Sequence, residues 1–175
     1  MNSRNLAITG NEPTTGLSNI AVLVEDSLSQ LTPDKMEGQM AQPETIFNAP
    51  MGSDQVNPSP ESLRDLVLRG GDDFWAAGSG QAALEVKGEG GARLLLMGLH
   101  AAGFFLVHES KNDSFCSRNP SVAADGHQFV EIHVGGEPMQ VPLQNFLDKE
   151  LAWKVIAGFL GDAKRSPQIE WEVWL

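Results

Sequence analysis

Four histidines, one cysteine and one glycine fingerprint are the parts of this chain that could carry chemistry. His100, His108, His127 and His133 show neither the i, i+4 helical spacing nor the clustered cysteines of a zinc site. Glu131 and His133 share one face of an alternating stretch, and His108 neighbours Glu109. A carboxylate beside an imidazole can pass a proton, but such unclustered pairs more commonly belong to a solvated sheet face. Cys116 sits beside Phe115 in a polar stretch, and a nucleophilic thiol needs a histidine brought to it by the fold. Residues 78–83, Gly-Ser-Gly-Gln-Ala-Ala, formally match a dinucleotide fingerprint. That chemistry needs a helix directly afterwards, with its N-terminus on the pyrophosphate. Here residues 82–87 alternate like a strand, so a turn is expected. Neither a nucleophile elbow nor a phosphate-binding Walker loop is present. No catalytic residue, metal ligand set or cofactor is expected.

The elements that would position these groups are legible from capping and periodicity. Ser59 can cap a helix with Pro60 at its first position. Leu63, Leu66 and Val67 then share a face, and Gly70-Gly71 stops the helix. Three strands follow, at residues 82–87, 93–98 and 103–108, close enough in sequence for an antiparallel meander. Residues 88–91 form a turn between the first two. Residues 110–127 are polar, include Asn119-Pro120 and Asp125-Gly126, and predict a long loop. Val130, Ile132 and Val134 alternate, turn at Gly135-Gly136, and return through Met139 and Val141. Pro138 and Pro142 place that arm at an edge or bulge. Asp148 caps a second helix over residues 149–160, with Gly161 as its end. Residues 169–173 close the pattern as a strand, with Trp171 on one face and Glu170, Glu172 and Trp174 on the other.

These elements predict an α+β fold. A mostly antiparallel sheet of five to seven short strands packs against two main helices. Leu84, Val86, Leu94, Leu96, Phe105, Val107, Val130, Ile132, Val155, Phe159 and Trp171 are its expected core. Composition shifts near residue 57. Residues 1–57 hold two basic against seven acidic side chains and one apolar run at residues 20–24. Residues 31–60 are rich in proline, glutamine, asparagine, serine and glycine, as in a mobile arm. The expected division is an acidic, partly flexible extension at 1–57 and a folded domain at 58–175.

The whole chain carries −11. A polyanion such as nucleic acid is repelled by that charge, whereas a basic protein is drawn in. One cysteine excludes an internal disulfide and favours a reducing compartment. The first residues lack a basic segment followed by an apolar one, as a secretory signal requires. No apolar stretch nears the roughly 18 residues of a membrane helix. The expectation is a cytoplasmic protein that binds neither nucleic acid nor membrane.

The C-terminal pattern adds a resemblance. Gly-Gly-Glu-Pro-Met-Gln-Val-Pro occupies residues 135–142. The acid-capped helix opens at Phe146-Leu147-Asp148 and closes at Gly158-Phe159-Leu160-Gly161, and Pro167 leads into the Trp171 strand. This ordered set resembles the Imm-one immunity family of bacterial polymorphic toxin systems, over roughly residues 59–175. The resemblance implies a non-enzymatic protein that binds a cognate toxin, such as a nucleic-acid deaminase or nuclease, and occludes its active site. The segment Lys164-Arg165-Ser166-Pro167 is more basic, and the helix shorter, than that pattern. On this view the contact surface to a basic toxin comprises exposed acids, Asp72, Asp73, Glu109, Asp113, Glu131, Glu170 and Glu172, with Trp174 as an aromatic anchor among them. Two alternatives stay open: a secretion adaptor or chaperone using residues 20–24 and the arm, and a small hydrolase using Glu131, His133 or His108.

Overall fold

The computed structural model describes residues 43–88, 90–99, 101–123 and 128–174. Residues 20–24, His100, His127 and the Asp125-Gly126 turn lie outside this set. The first elements among the described residues are two short strands, β1 (Thr45–Asn48) and β2 (Gln55–Val56). Helix α1 (Pro60–Arg69) begins where its cap requires, with Ser59 Oγ accepting from Ser62 N at 3.1 Å. The four-residue helix α2 (Asp72–Trp75) follows. Strands β3 (Ala82–Val86), β4 (Arg93–Leu99), β5 (Gly103–Glu109) and β6 (Ser114–Arg118) come next. The hairpin β7 (Phe129–Val134) and β8 (Glu137–Pro142) leads into a 3-10 turn at Leu143–Asn145 and the short β9 (Phe146–Leu147). Helix α3 (Lys149–Asp162) and β10 (Glu170–Val173) complete the unit.

The fold is α+β, as the periodicities predict. Every strand pairing is antiparallel, in the order β10-β6-β5-β4-β3-β1-β2, with β9 also paired to β5. Among the described residues, β7 and β8 pair only with each other. Because side chains alternate across a sheet, each strand feeds two cores. Phe47, Leu84, Leu94, Leu96, Phe104 and Leu106 face α1 and α3, meeting Leu63, Val67, Val155, Ile156 and Phe159. On the other side Ala83, Leu95, Met97, Phe105, Val107 and Cys116 meet Ile132 and Val141 of the hairpin and Phe146. The first is the helix side of the sheet and the second its hairpin side.

Four differences from the sequence-based expectation have physical causes. The folded unit starts ahead of residue 58, because β1 pairs with β3 and buries Phe47 at 1% exposure. The polar stretch at 110–127 contains β6, whose Ser117 and the following Asn119 are buried because their polar groups bond inside the fold. α3 runs past Gly161 to Asp162 and ends on Ala163, at φ 57°. Among the expected core residues, Val130 and Trp171 are only half-buried. Residues 78–80 form the turn into β3, with no helix after them. No helix among the described residues is long and apolar enough to cross a membrane.

Candidate protein-docking margin

The strand order brings together acids that are far apart in sequence. Glu85 lies opposite Arg93, and Arg93 opposite Glu109, across β3, β4 and β5. Alternation puts all three on the hairpin side. Arg93 is held between the two carboxylates, at 3.3 Å from Glu85 and 3.8 Å from Glu109. At the margin of the sheet the arrangement repeats. β10 pairs with β6 so that Glu170 faces Arg118 and Glu172 faces Cys116. The Arg118 guanidinium sits 3.2 Å from Glu170 and 3.4 Å from Glu172. Asn145 Nδ2 donates to Glu172 at 3.3 Å and so fixes its carboxylate further. Arg118 is thus outnumbered two to one, whereas Lys87, 3.5 Å from Glu85, balances the Arg93 cluster. Exposed pairs of this kind contribute little stability, well under about 1 kcal/mol each. They do hold carboxylates in place, and at Arg118 they leave the local charge negative.

Trp174 completes this margin. It is half-buried and meets the Phe105 ring edge-on, with centroids 5.2 Å apart. Its indole packs on the hairpin-side core and stays partly exposed. Beneath it Cys116 is buried, and burial first, then the Glu172 carboxylate, pushes the thiol up to about 11. A thiol held protonated at neutral pH is a poor nucleophile. The sequence-based picture of Cys116 in an open loop is therefore corrected.

Of the eight residues nominated from sequence, Glu109, Glu170, Glu172 and Trp174 share the hairpin side. Asp113 lies in the turn between β5 and β6, where its backbone carbonyl accepts from Ser110 N at 2.8 Å. Asp72 and Asp73 open α2, whose Trp75 packs edge-on against Phe104. Phe104 is five residues from Glu109 along β5, about 17 Å away. Glu131 points outward from the hairpin, where Gln140 Nε2 donates to it at 2.9 Å. These four do not join the margin. Sequence reasoning missed Glu85, Arg93 and Arg118, because their role depends on cross-strand register.

The other face of the margin is a cleft of about 580 Å³ lined by His108, Asp113, Phe115, Arg165 and Trp171, among others. Arg165 stacks over the Phe115 ring, 3.8 Å from its centroid. His108 points away from Glu109, onto the helix side. It is 7% exposed, which corrects the solvated-face expectation. Its ring lies between Phe159 and Trp171, and its Nε2 sits 3.3 Å from the carbonyl oxygen of Ala163. Desolvation outweighs that bond and lowers its pKa from 6.5. The unfolded chain therefore binds a proton that the folded chain resists. Stability that depends on neutral His108 is fully present above pH 6.5 and is lost as pH falls through the folded value. Melting temperatures measured between pH 7.5 and pH 5 should fall more steeply for the native chain than for His108→Gln, which cannot titrate.

The cleft holds no assembled catalytic set. The Ser110 hydroxyl donates to the Asp113 carbonyl at 3.3 Å, and Ser166 Oγ accepts from Gln168 N at 3.3 Å. Neither serine bonds to His108. Among the described residues, no three histidine, cysteine or acidic side chains gather as a metal site. No family model matches the chain, and no curated protein matches it.

Proposed function

We propose that this protein is a non-enzymatic binding protein that captures a basic protein partner through the hairpin-side margin, and that the partner is a bacterial toxin whose active site it occludes. The carrying observation is the net-negative Glu170–Arg118–Glu172 clamp beside the half-exposed Trp174, with Glu109 held by Arg93 on the same side of the sheet. Residues 43–175 hold ten lysines and arginines against eighteen acids. A guanidinium or ammonium group arriving at this margin meets carboxylates already oriented, so little side-chain entropy is lost on contact. Long-range attraction then raises the rate of encounter, and salt lowers it. The toxin identity of the partner rests on the resemblance of roughly residues 59–175 to the Imm-one pattern. A toxin acting on nucleic acid needs a basic substrate surface, and an acidic protein competes for that surface.

The first test is capture of a partner by the tagged chain from its native cell, followed by expression of that partner alone and with this protein. Toxicity alone and rescue together would support neutralisation. A bound partner that is harmless when expressed alone would sink it. With a partner in hand, Glu170→Gln combined with Glu172→Gln should slow association about tenfold at low salt, a gap that closes as salt is raised. Glutamine preserves the side-chain shape and an acceptor for Asn145, so stopped-flow mixing would report charge rather than fold. Equal association rates at every salt concentration would remove these two residues from the contact surface.

A further inference from the structure

We propose that β10 receives an extended segment of the basic partner as an added strand; this names the binding mode and rests on the partner-binding reading above. β10 is the edge of the described sheet, paired on one side only, with β6. Trp174 N donates to Ser114 O at 2.8 Å, so its main-chain groups face β6. The two-residue alternation of an antiparallel ladder turns Glu172 and Glu170 the same way. The N–H and C=O of Trp171 and Val173 consequently point out of the sheet, ready to pair with another strand.

The side chains on this edge define the occupant. Glu170 and Glu172 project on the hairpin side with 57% and 39% of their side chains exposed. Val173 projects on the helix side, beside Phe115, and is 70% exposed. A strand added here would place alternate residues against the two acids and the remainder against Val173. The matching segment alternates basic and apolar residues. A second copy of this chain is a poor fit, because β10 paired with itself would bring glutamates against glutamates across the new pair. β10 reads Glu-Trp-Glu-Val, without proline or bulge, and its two glutamates guard the edge against acidic strands while leaving it open to a basic one. The opposite edge, β2, is two residues long and offers far less ladder.

The probe is a synthetic peptide alternating lysine and valine. Its controls are an alternating glutamate–valine peptide and a peptide with the same lysines and valines in two blocks. With the full chain, the alternating basic peptide should slow hydrogen exchange at the Trp171 and Val173 amides by at least about tenfold, while the controls do not. Val173→Pro removes one outward N–H and spares the ladder to β6. It should weaken binding about tenfold, whereas Val173→Thr should not. Unchanged exchange at those two amides, equal binding of the block peptide, or no binding would overturn the proposal. The wild-type exchange result stands even if the proline variant misfolds. Once a toxin is known, its neutralisation by Val173→Pro as fully as by the native chain would defeat strand addition and leave neutralisation intact. Peptide addition at β10 without any toxin to neutralise would do the reverse.

Discussion

Replacing Gly103 with alanine should cost about 4 kcal/mol of folding stability, among the largest losses a single methyl group can cause. Gly103 opens β5 at φ +96°, a region that side-chain-bearing residues avoid. That conformation alone costs roughly 1–2 kcal/mol. The larger part comes from β9. A Cβ at this position would run into the Leu147 carbonyl oxygen and lie 2.9 Å from its carbon. Both groups are backbone, so neither can rotate away. Relief requires β9 to move, yet its Phe146 and Leu147 are 2% and 0% exposed and fill opposite cores. Gly136 is the control. It sits at φ +89° in the hairpin turn with nothing within 4 Å of its notional Cβ, so Gly136→Ala carries only the conformational penalty. Urea unfolding of both variants separates the two contributions. Equal losses would mean that the approach of β9 does not constrain Gly103.

Ser117→Ala should be nearly as damaging, at about 3 kcal/mol, because it strands two buried backbone groups at once. The cause is a seam in the sheet. One edge of β5 is shared by two strands: β9 pairs with Phe104 and Phe105, and β6 takes over at Val107. Leu106 falls between them. Its N–H donates to Ser117 Oγ at 3.0 Å, and the same hydroxyl donates to the Asn145 carbonyl at 2.7 Å. Ser117 is fully buried, so water cannot replace it without opening the sheet. Asn145 Nδ2 donates to Ser117 O at 2.7 Å, which ties the two segments from the other direction. Denaturant midpoints would give the loss. Hydrogen exchange at the Leu106 amide should accelerate in the variant before global unfolding. An unchanged midpoint would show that the seam tolerates an open hydrogen bond.

Local signals wrote much of the fold into the sequence. Ser59-Pro60 and Asp148 announce α1 and α3, because a cap acts through residues next to it. The meander and the hairpin announce themselves through alternation and Gly135-Gly136. β1 escapes such reading because Thr-Ile-Phe-Asn is too short for a period and sits in a proline-rich stretch. Only pairing with β3, some 40 residues on, makes it a strand. β6 escapes for a related reason. Ser117 and Asn119 look like loop residues until their buried partners from residues 145–146 are in place. The candidate site divides in the same way. Acidic residue types were visible in the chain, and so was the shared face of Glu170, Glu172 and Trp174. The clamps were not, since they depend on strands being laid in the order β10-β6-β5-β4-β3. His108 and Glu109 illustrate the point: neighbours in sequence, they serve opposite faces of one strand.

The junction of β6 with β10 also has a kinetic consequence. Val173 pairs with Phe115 and Glu170 with Arg118, closing a loop of more than 50 residues that encloses the hairpin, β9 and α3. Closing so long a loop is entropically costly until the intervening pieces are arranged. The meander β3–β4–β5, built from near neighbours, is the natural early nucleus. The β6–β10 part of the acidic margin, with Glu170, Arg118 and Glu172, therefore belongs to the late-forming part of the molecule, and it is expected to open early in brief excursions from the native state. A ligand held there would act as a latch, raising the free energy of those openings as well as filling a surface.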